Sequence, residues 1–481
     1  MSPRPEPLKP SWRTFAWSAA YLLAVSAALY ALFANWAYDD PFITYRYADN
    51  LARGLGFVYN PGERLLSTTS PLFALLLAAL KALGGEVHSA ATLIGVLSAA
   101  AGGLCLWALG RTWQTPWIGI AGIFLYPSFT LLTMTLGSET PLYLAFCLGA
   151  FAAFARQRWM LAAALAALAV LTRPDGALVP LVLAAAFLLR PGRPKPTLKN
   201  LPWKALALFL ALSAAWLLFA WAYFGSPIPL TLAAKQHQGA MAASQRFGPG
   251  FLTLLANYNK PLYWVEAALA AAGLGVMLWK RSPWLVLLAW TGLYFAAYTL
   301  LGVSRYYWYY TPLLPGFVAC LGMGLEALFQ RLRRIPLRLL VLLPAALLLF
   351  QACDTWELHT RPDPRYPIYR AAGEWAATHT PPEASLGTLE VGIIGYYARR
   401  PMVDFAGLIQ PEIGARLGAS TTYQDAALWA LERYAPDYLI LHAGLYPQLE
   451  QAAAQDGYQP VHTLSGAGYA YPADLVIYAC P

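Results

Sequence analysis

Asp39 and Asp40 are adjacent carboxylates in the stretch WAYDDPFITYRYADNLARGLGFVYNPGERLLSTTSP, which runs from Trp36 to Pro71 between two strongly apolar segments. Arg46, Asp49, Arg53, Glu63 and Arg64 follow them. Ionisable groups beside a bilayer are costly unless a partner or a reaction uses them. A pair of neighbouring carboxylates at the mouth of a membrane helix could be a general base with its neighbour, or half of a metal site. It could equally be an ordinary charged loop that tops a helix. Thr44, Tyr45, Tyr47 and Tyr59 add hydroxyls and amphipathic rings suited to a membrane–water interface. Further along, Glu139, Arg173, Lys235 and Arg305 each stand at the edge of an apolar run.

The elements that must position these groups are membrane helices. Hydrophobic residues make up 58% of the chain and charged ones 12%, against roughly 45–50% and 25% in soluble domains. Repeated long apolar runs then predict a polytopic α-helical membrane protein. The net charge of +9 could suggest nucleic acid. However, Lys and Arg cluster in short loops between apolar segments, as positive-inside orientation requires, and no soluble segment offers a basic face interleaved with aromatics. The basic start MSPRPEPLKPSWR precedes an apolar run too long for a signal-peptide core. It predicts a retained first span, 14–35, with a cytoplasmic N-terminus. The apolar part of 71–84 is too short to cross and reads as an interfacial helix. Spans follow at 89–110, 116–135, 141–155, 159–171, 177–190, 205–223, 261–279, 283–303, 306–328 and 339–353. Eleven spans place Arg111, Arg156, Arg158, the basic loop Arg190–Lys204, Lys280, Arg281, Arg331, Arg333, Arg334 and Arg338 inside. The external loop 36–88, Glu139, Arg173, Lys235 and Arg305 then lie outside.

The predicted domains are a membrane domain, 1–353, and an extracytoplasmic α/β domain, 354–481. The latter opens on the linker DTWELHTRPDPRYP and has strand-like runs at ASLGTLE, PMVDF, DYLILH and DLVIYAC, with helical stretches at 366–379 and 424–434. No Gly-x-Gly-x-x-Gly fingerprint opens it. The chain has five cysteines and no Cys-x-x-Cys pair to mark a zinc or redox site. Cys353 and Cys480 flank the second domain and could close it by a disulfide in an oxidising compartment.

The run DDPFITYRYADNLARGLGFVYNPGE resembles the first external loop of GT-C-fold membrane glycosyltransferases that use polyprenyl-phosphate sugars, the group of the protein mannosyltransferases, aminoarabinose transferases and mycobacterial arabinofuranosyltransferases. The resemblance continues in order through GSETPLY (137–143), LTRPDG (171–176), YFGSPIPLTLAAK (223–235), RYYWYYTPLLP (305–315) and EVGIIGYYARRPMVDFAGL (390–408). It implies an inverting transferase of the bacterial cytoplasmic membrane. A monosaccharide would pass from a polyprenyl-phosphate donor to an envelope glycan, lipid or protein acceptor on the extracytoplasmic side.

Such a donor carries its own phosphate leaving group, so the site must supply a base for the acceptor hydroxyl and positive charge for the departing phosphate. The resemblance assigns the base to Asp39 or Asp40. Arg305, Lys235 and Arg173 are the expected phosphate partners, with lipid-headgroup anchoring as the plain alternative. Glu139, Arg46 and Tyr45 are expected to hold the acceptor or tune the aspartates. Glu390 and Asp404 are expected to serve acceptor binding or domain packing. No resident cofactor is expected; the aspartate pair could take a divalent ion, although no further ligand cluster accompanies it. Two other functions compete: a transporter or flippase of polyprenyl-linked sugars, and a non-catalytic envelope scaffold. Against the first, the charges gather at outer helix ends and no inverted repeat is visible.

Overall fold

The computed structural model describes residues 12–189, 197–332, 334 and 336–480. The first residues of the chain, Arg190, Arg193 and Lys195 of the expected inner loop, and Arg333 lie outside the described residues. The helical part comprises α1 (Trp12–Phe33), α2 (Asp40–Ala52), α3 (Pro71–Ala82), α4 (Val87–Thr112), α5 (Pro116–Phe124), α6 (Thr130–Thr133), α7 (Thr140–Ala155), α8 (Trp159–Thr172) and α9 (Leu178–Leu188). It continues with α10 (Trp203–Phe224), α11 (Leu230–Ala240), α12 (Phe247–Asn257), α13 (Pro261–Trp279), α14 (Leu285–Leu301), α15 (Leu314–Arg331), α16 (Leu337–Leu340) and α17 (Leu342–Thr360).

Among the described residues, 5 helical segments are long and apolar enough to cross a membrane, lying in α1, α4, α10, α13 and the stretch Tyr307–Arg331. Only 17% of the α10 window is buried inside the protein. Its Leu, Phe and Trp side chains therefore face outward, as a helix apolar all round does when lipid is its neighbour. Shorter apolar helices, among them α3, α7, α8 and α14, complete the bundle.

Two expected spans are not continuous helices. The stretch 116–135 breaks after Phe124 into a 3-10 turn, Tyr126–Ser128, and the single-turn α6. Pro127 cannot donate to the helical ladder, so the chain turns there. The stretch 306–328 opens with two 3-10 turns, Tyr307–Tyr309 and Thr311–Leu313, and becomes α-helical only at Leu314. In the opposite sense, α17 runs on to Thr360. Asp354 and Glu357, expected in a linker, thus stand on its last turns.

The C-terminal part adds α18 (Arg365–His379), β1 (Leu386–Thr388), α19 (Ile393–Ala398), β2 (Met402–Asp404), α20 (Pro411–Gly414), α21 (Tyr423–Tyr434), β3 (Tyr438–His442), α22 (Pro447–Gln455), β4 (Gln459–Leu464) and β5 (Leu475–Ala479). The strands form one sheet in the order β2-β1-β3-β5-β4. β1 runs parallel to β2 and β3, while β5 is antiparallel to β3 and β4. Cys353 and Cys480 are both free, exposed thiols, which corrects the disulfide considered from the sequence.

This sheet does not stand apart from the bundle. Phe42, Tyr45, Tyr47 and Phe73 of the first loop share a buried core with Ile393, Ile394, Leu408 and Ile440. Polar groups fix the register of that contact. The Asp39 carboxylate accepts from the backbone N–H of Gly392 at 2.9 Å and of Ile393 at 2.7 Å, where α19 begins. A Cβ at Gly392 would collide with Asp39, and one at Gly395 with the Tyr59 hydroxyl, so both close approaches require glycine. Arg46 is 4% exposed. Its guanidinium donates to the carbonyls of Tyr59 (2.9 Å), Gly395 (2.7 Å) and Arg400 (2.5 Å), and stacks 4.3 Å from the Tyr59 ring centroid. Asn60 exchanges two 3.0 Å hydrogen bonds with the backbone of Met402, as a neighbouring strand residue would. Asp404 folds the loop after β2 by accepting from the N–H groups of Ala406, Leu408 and Ile409.

Arg46→Ala takes one donor each from the Tyr59 and Gly395 carbonyls, which Asn50 and the Arg399 N–H still reach, and leaves the Arg400 carbonyl with none among the described residues; it should cost roughly 3 kcal/mol. Arg46→Lys should not restore it, because an ammonium cannot span the fork. Thermal melts, with limited proteolysis between α17 and α18, measure this; unchanged melting and cleavage in Arg46→Ala would remove the pin. Burial pushes the Asp404 carboxyl up to about 7 and that of Asp39 up to about 6. A raised carboxyl contributes stability that is complete below its unfolded value and lost as pH rises through the folded one. The melting temperature should therefore fall between about pH 4 and about pH 7. A melting temperature that climbs over this interval would contradict it.

Candidate active site

A cavity of about 860 Å³ lies between the helical bundle and the sheet. Asp39, Asp40 and Tyr38 enter it from the first loop, Lys235 and Gln238 from α11, and Arg305, Tyr306, Tyr307 and Trp308 from the segment before α15. Lys260, Asp354, Glu357 and Arg361 line the far end, and Leu389, Glu390, Ala406, Leu408, Tyr423 and Tyr446 form the roof.

The two aspartates are adjacent in sequence and differ in use. Asp39 turns toward α19 and spends both oxygens on backbone N–H groups. Asp40 keeps its carboxylate at the cavity wall, 29% exposed, and pairs with the Lys235 ammonium at 3.1 Å. Lys235 is 6% exposed along its side chain and sits 3.9 Å from the centroid of the Tyr306 ring. Burial works against its charge, yet Asp40 and the Tyr306 and Tyr309 hydroxyls hold its pKa well above the ordinary value. Behind it, Tyr306 stacks on Trp308 (4.5 Å between centroids) and Trp308 on Tyr38 (4.9 Å). The YYWYY run thus braces the ammonium. Arg305 is exposed at the wall, with no ion pair to its guanidinium among the described residues. Its backbone N–H is held by the Gln245 carbonyl at 2.7 Å.

Other expected site residues lie behind this surface. Arg173 is 4% exposed, and its fork is occupied by Asp175 (2.8 Å), Glu139 (3.4 Å) and the Tyr298 hydroxyl (2.8 Å). Neither Arg173 nor Glu139 lines the cavity. The expected phosphate contact by Arg173 is corrected by this geometry, since carboxylates already fill the guanidinium. Burial raises the Glu139 carboxyl and Arg173 draws it back. Tyr45 is buried and donates its hydroxyl to the Gly137 carbonyl, tying the first loop to the GSETP turn. Arg46 acts at the sheet contact described above, away from the cavity lining.

Several lining residues were not singled out in the sequence. Lys260 bridges Asp354 and, at 2.8 Å, Glu357, and Tyr263 donates to Asp354. Gln238 accepts from the Tyr306 hydroxyl and donates to the Ala406 carbonyl, both at 3.3 Å, joining α11 to the roof. The Gln238 position, three residues beyond Lys235 on the same helix, was the available signal, because such neighbours share a face. As for a divalent ion, Asp39 is filled by backbone donors and Asp40 by an ammonium. Among the described residues no group of three or more His, Cys, Asp or Glu converges. The pair does not fit a metal.

Residues 68–219 match the family model described as dolichyl-phosphate-mannose-protein mannosyltransferase, and residues 358–478 a domain of unknown function, DUF8728. No curated protein matches the chain. Among solved structures, ArnT from Cupriavidus metallidurans bound to undecaprenyl phosphate aligns over 97% of this chain and 98% of its own, with TM-score 0.60 and 16% identity. The same protein in the apo state gives TM-score 0.63 at 15% identity, over 98% of each chain. The archaeal oligosaccharyltransferase AglB from Archaeoglobus fulgidus, in complex with an inhibitory peptide and a dolichol-phosphate, aligns over 89% of this chain and 70% of its own. Its TM-score is 0.59 at 14% identity. The chain has the GT-C fold, and the resemblance of its motifs to the polyprenyl-phosphate-dependent membrane glycosyltransferases holds in both the family model and the fold.

Proposed function

We propose that this protein is an inverting glycosyltransferase that moves a monosaccharide from a polyprenyl-phosphate donor to a hydroxyl of an envelope acceptor. The observation that carries the reading is one carboxylate, Asp40, paired with a buried ammonium, Lys235, in a cavity whose wall also holds an unpaired guanidinium, Arg305. That set contains a base and two cations and needs no group from outside the chain. ArnT, in the complex with undecaprenyl phosphate, and AglB, in the complex with dolichol-phosphate, support the donor class.

In this reading Asp40 takes the proton of the acceptor hydroxyl, and the oxygen attacks the anomeric carbon opposite the phosphate. The bond from that carbon to the phosphate oxygen breaks, and the lipid leaves as a phosphomonoester. Lys235 holds Asp40 with one N–H and has others to offer the departing phosphate; Arg305 offers a planar fork beside it. The cations thereby stabilise charge where it grows during the reaction. The membrane domain crosses eleven times, the cavity and sheet face the extracytoplasmic side, and the membrane is the bacterial cytoplasmic one. The positive-inside distribution of Lys and Arg supports this orientation.

Asp40→Asn, in protein that still melts cooperatively, should lower turnover on the order of a hundred- to ten-thousandfold. Asp39→Asn should act mainly on the docking of α19 and shift melting. Release of labelled polyprenyl phosphate measures the first, and near-normal release in Asp40→Asn would sink the assignment of the base. Arg305→Ala should cost about ten- to a hundredfold in donor use, and Arg305→Lys should recover part of it. Unchanged donor affinity and turnover in Arg305→Ala would return this residue to headgroup anchoring.

A further inference from the structure

Each carboxylate lining the cavity has a partner except one. Asp39 is held by backbone N–H groups, Asp40 by Lys235, Asp354 by Lys260 and Tyr263, and Glu357 by Lys260 and Arg361. Glu390, half-buried in the roof, has no hydrogen bond or ion pair to its side chain among the described residues. Its neighbours make that position costly. Asp39, Asp40 and Asp404 all repel its charge, and Arg365, which attracts it, is already committed to Asp363 at 3.0 Å. Burial, then Asp39, push its carboxyl up to about 8. A half-buried carboxyl that fixes no element and is crowded by like charge stabilises nothing in the fold. Its two oxygens open into a cavity that a ligand enters.

The chemistry of the roof narrows the ligand. Tyr423 and Tyr446 lie on the same wall, and Tyr306 completes an aromatic rim. A protonated carboxyl supplies an O–H donor and a carbonyl acceptor, and tyrosines supply apolar faces with hydroxyl tips. Adjacent ring hydroxyls and the C–H face of a sugar are complementary to that combination. A neutral ligand suits the lining, because Lys235, Lys260, Arg305, Arg361 and Arg365 are balanced there by the carboxyl groups of Asp39, Asp40, Asp354, Glu357 and Glu390. We propose that Glu390 hydrogen-bonds the ring hydroxyls of a neutral sugar held beneath the sheet and sets which sugar the cavity accepts. This rests on the transferase reading and assigns a role to the region 358–478. The sugar belongs either to the donor or to a glycan acceptor, and the two sources give different results.

The test uses the full chain in lipid nanodiscs, with the variants Glu390→Ala and Glu390→Gln. Its probes are bare undecaprenyl phosphate, undecaprenyl phosphates carrying mannose, glucose or a pentofuranose, and the matching methyl glycosides. Both variants should melt as the unaltered protein does and bind bare undecaprenyl phosphate within about twofold of it. If Glu390 reads the donor sugar, affinity for the best sugar-bearing lipid falls about tenfold or more in Glu390→Ala, and the preference among sugars flattens. If it reads the acceptor, donor affinity and release into water hold, while KM for the best methyl glycoside rises by about the same factor. Glu390→Gln, which keeps one acceptor oxygen, should fall between. Donor affinity, sugar preference and glycoside KM all within about twofold in Glu390→Ala would overturn the proposal. If instead the unaltered protein turns over no sugar lipid but binds one through Glu390, only the transferase reading fails.

Discussion

Arg46 is the contact on which the architecture rests. A guanidinium that is almost wholly buried can be tolerated only if its donors are all taken. Here the acceptors come from its own loop, at Tyr59, and from the remote Gly395–Arg400 segment. Asn60 and Asp39 repeat the pattern on either side, each giving its polar side chain to the backbone of the C-terminal sheet region. The first loop is therefore the floor of the cavity and the mount for its roof at once. Its charge density follows from both duties: Asp40 faces the cavity, while its neighbours satisfy backbone groups that would otherwise be buried without partners.

The membrane helices and much of the site's location could be read from residue types. Long apolar runs identify α1, α4, α10 and α13 to within a few residues, because exclusion from water depends on composition and length. Four of the five strands were also legible, being short runs of β-branched and aromatic residues. β4, QPVHTL, was not: it is an exposed edge strand, so it carries no apolar alternation, and Pro460 weakens its strand signal. The breaks at Tyr126–Ser128 and Tyr307–Leu313 were missed, although Pro127 and Pro312 mark them, because each lies within a longer apolar stretch. A hydropathy pattern reports the surroundings of a segment and not its backbone path.

Partners at long range were the least legible. Asp39 and Asp40 have the same chemistry and one peptide bond between them, and what separates them is a loop beginning at Gly392. Arg173 looked like an outer-loop cation free for phosphate, yet Asp175, two residues on, and Glu139 neutralise it. Lys260 and Asp354 meet across the bundle with no periodicity to announce it. Residue types show which groups are expensive to keep and where they gather. Which of them were already paired depended on the fold.

The peptide link between Asp39 and Asp40 has a bearing on how such proteins diversify. A sheet region that merely rested on a membrane domain could be exchanged between relatives at the α17–α18 junction, as cassettes are. This one reaches the residue next to Asp40 through Gly392, and it reaches Arg46 and Asn60 through Gly395, Arg400 and Met402. A recombinant that inherits the sheet from one parent and the first loop from another would misplace the cavity before any substrate arrived. The structural unit is consequently discontinuous: residues 36–71 and 365–480 are fitted to each other, and α11 is fitted to both through Lys235 and Gln238.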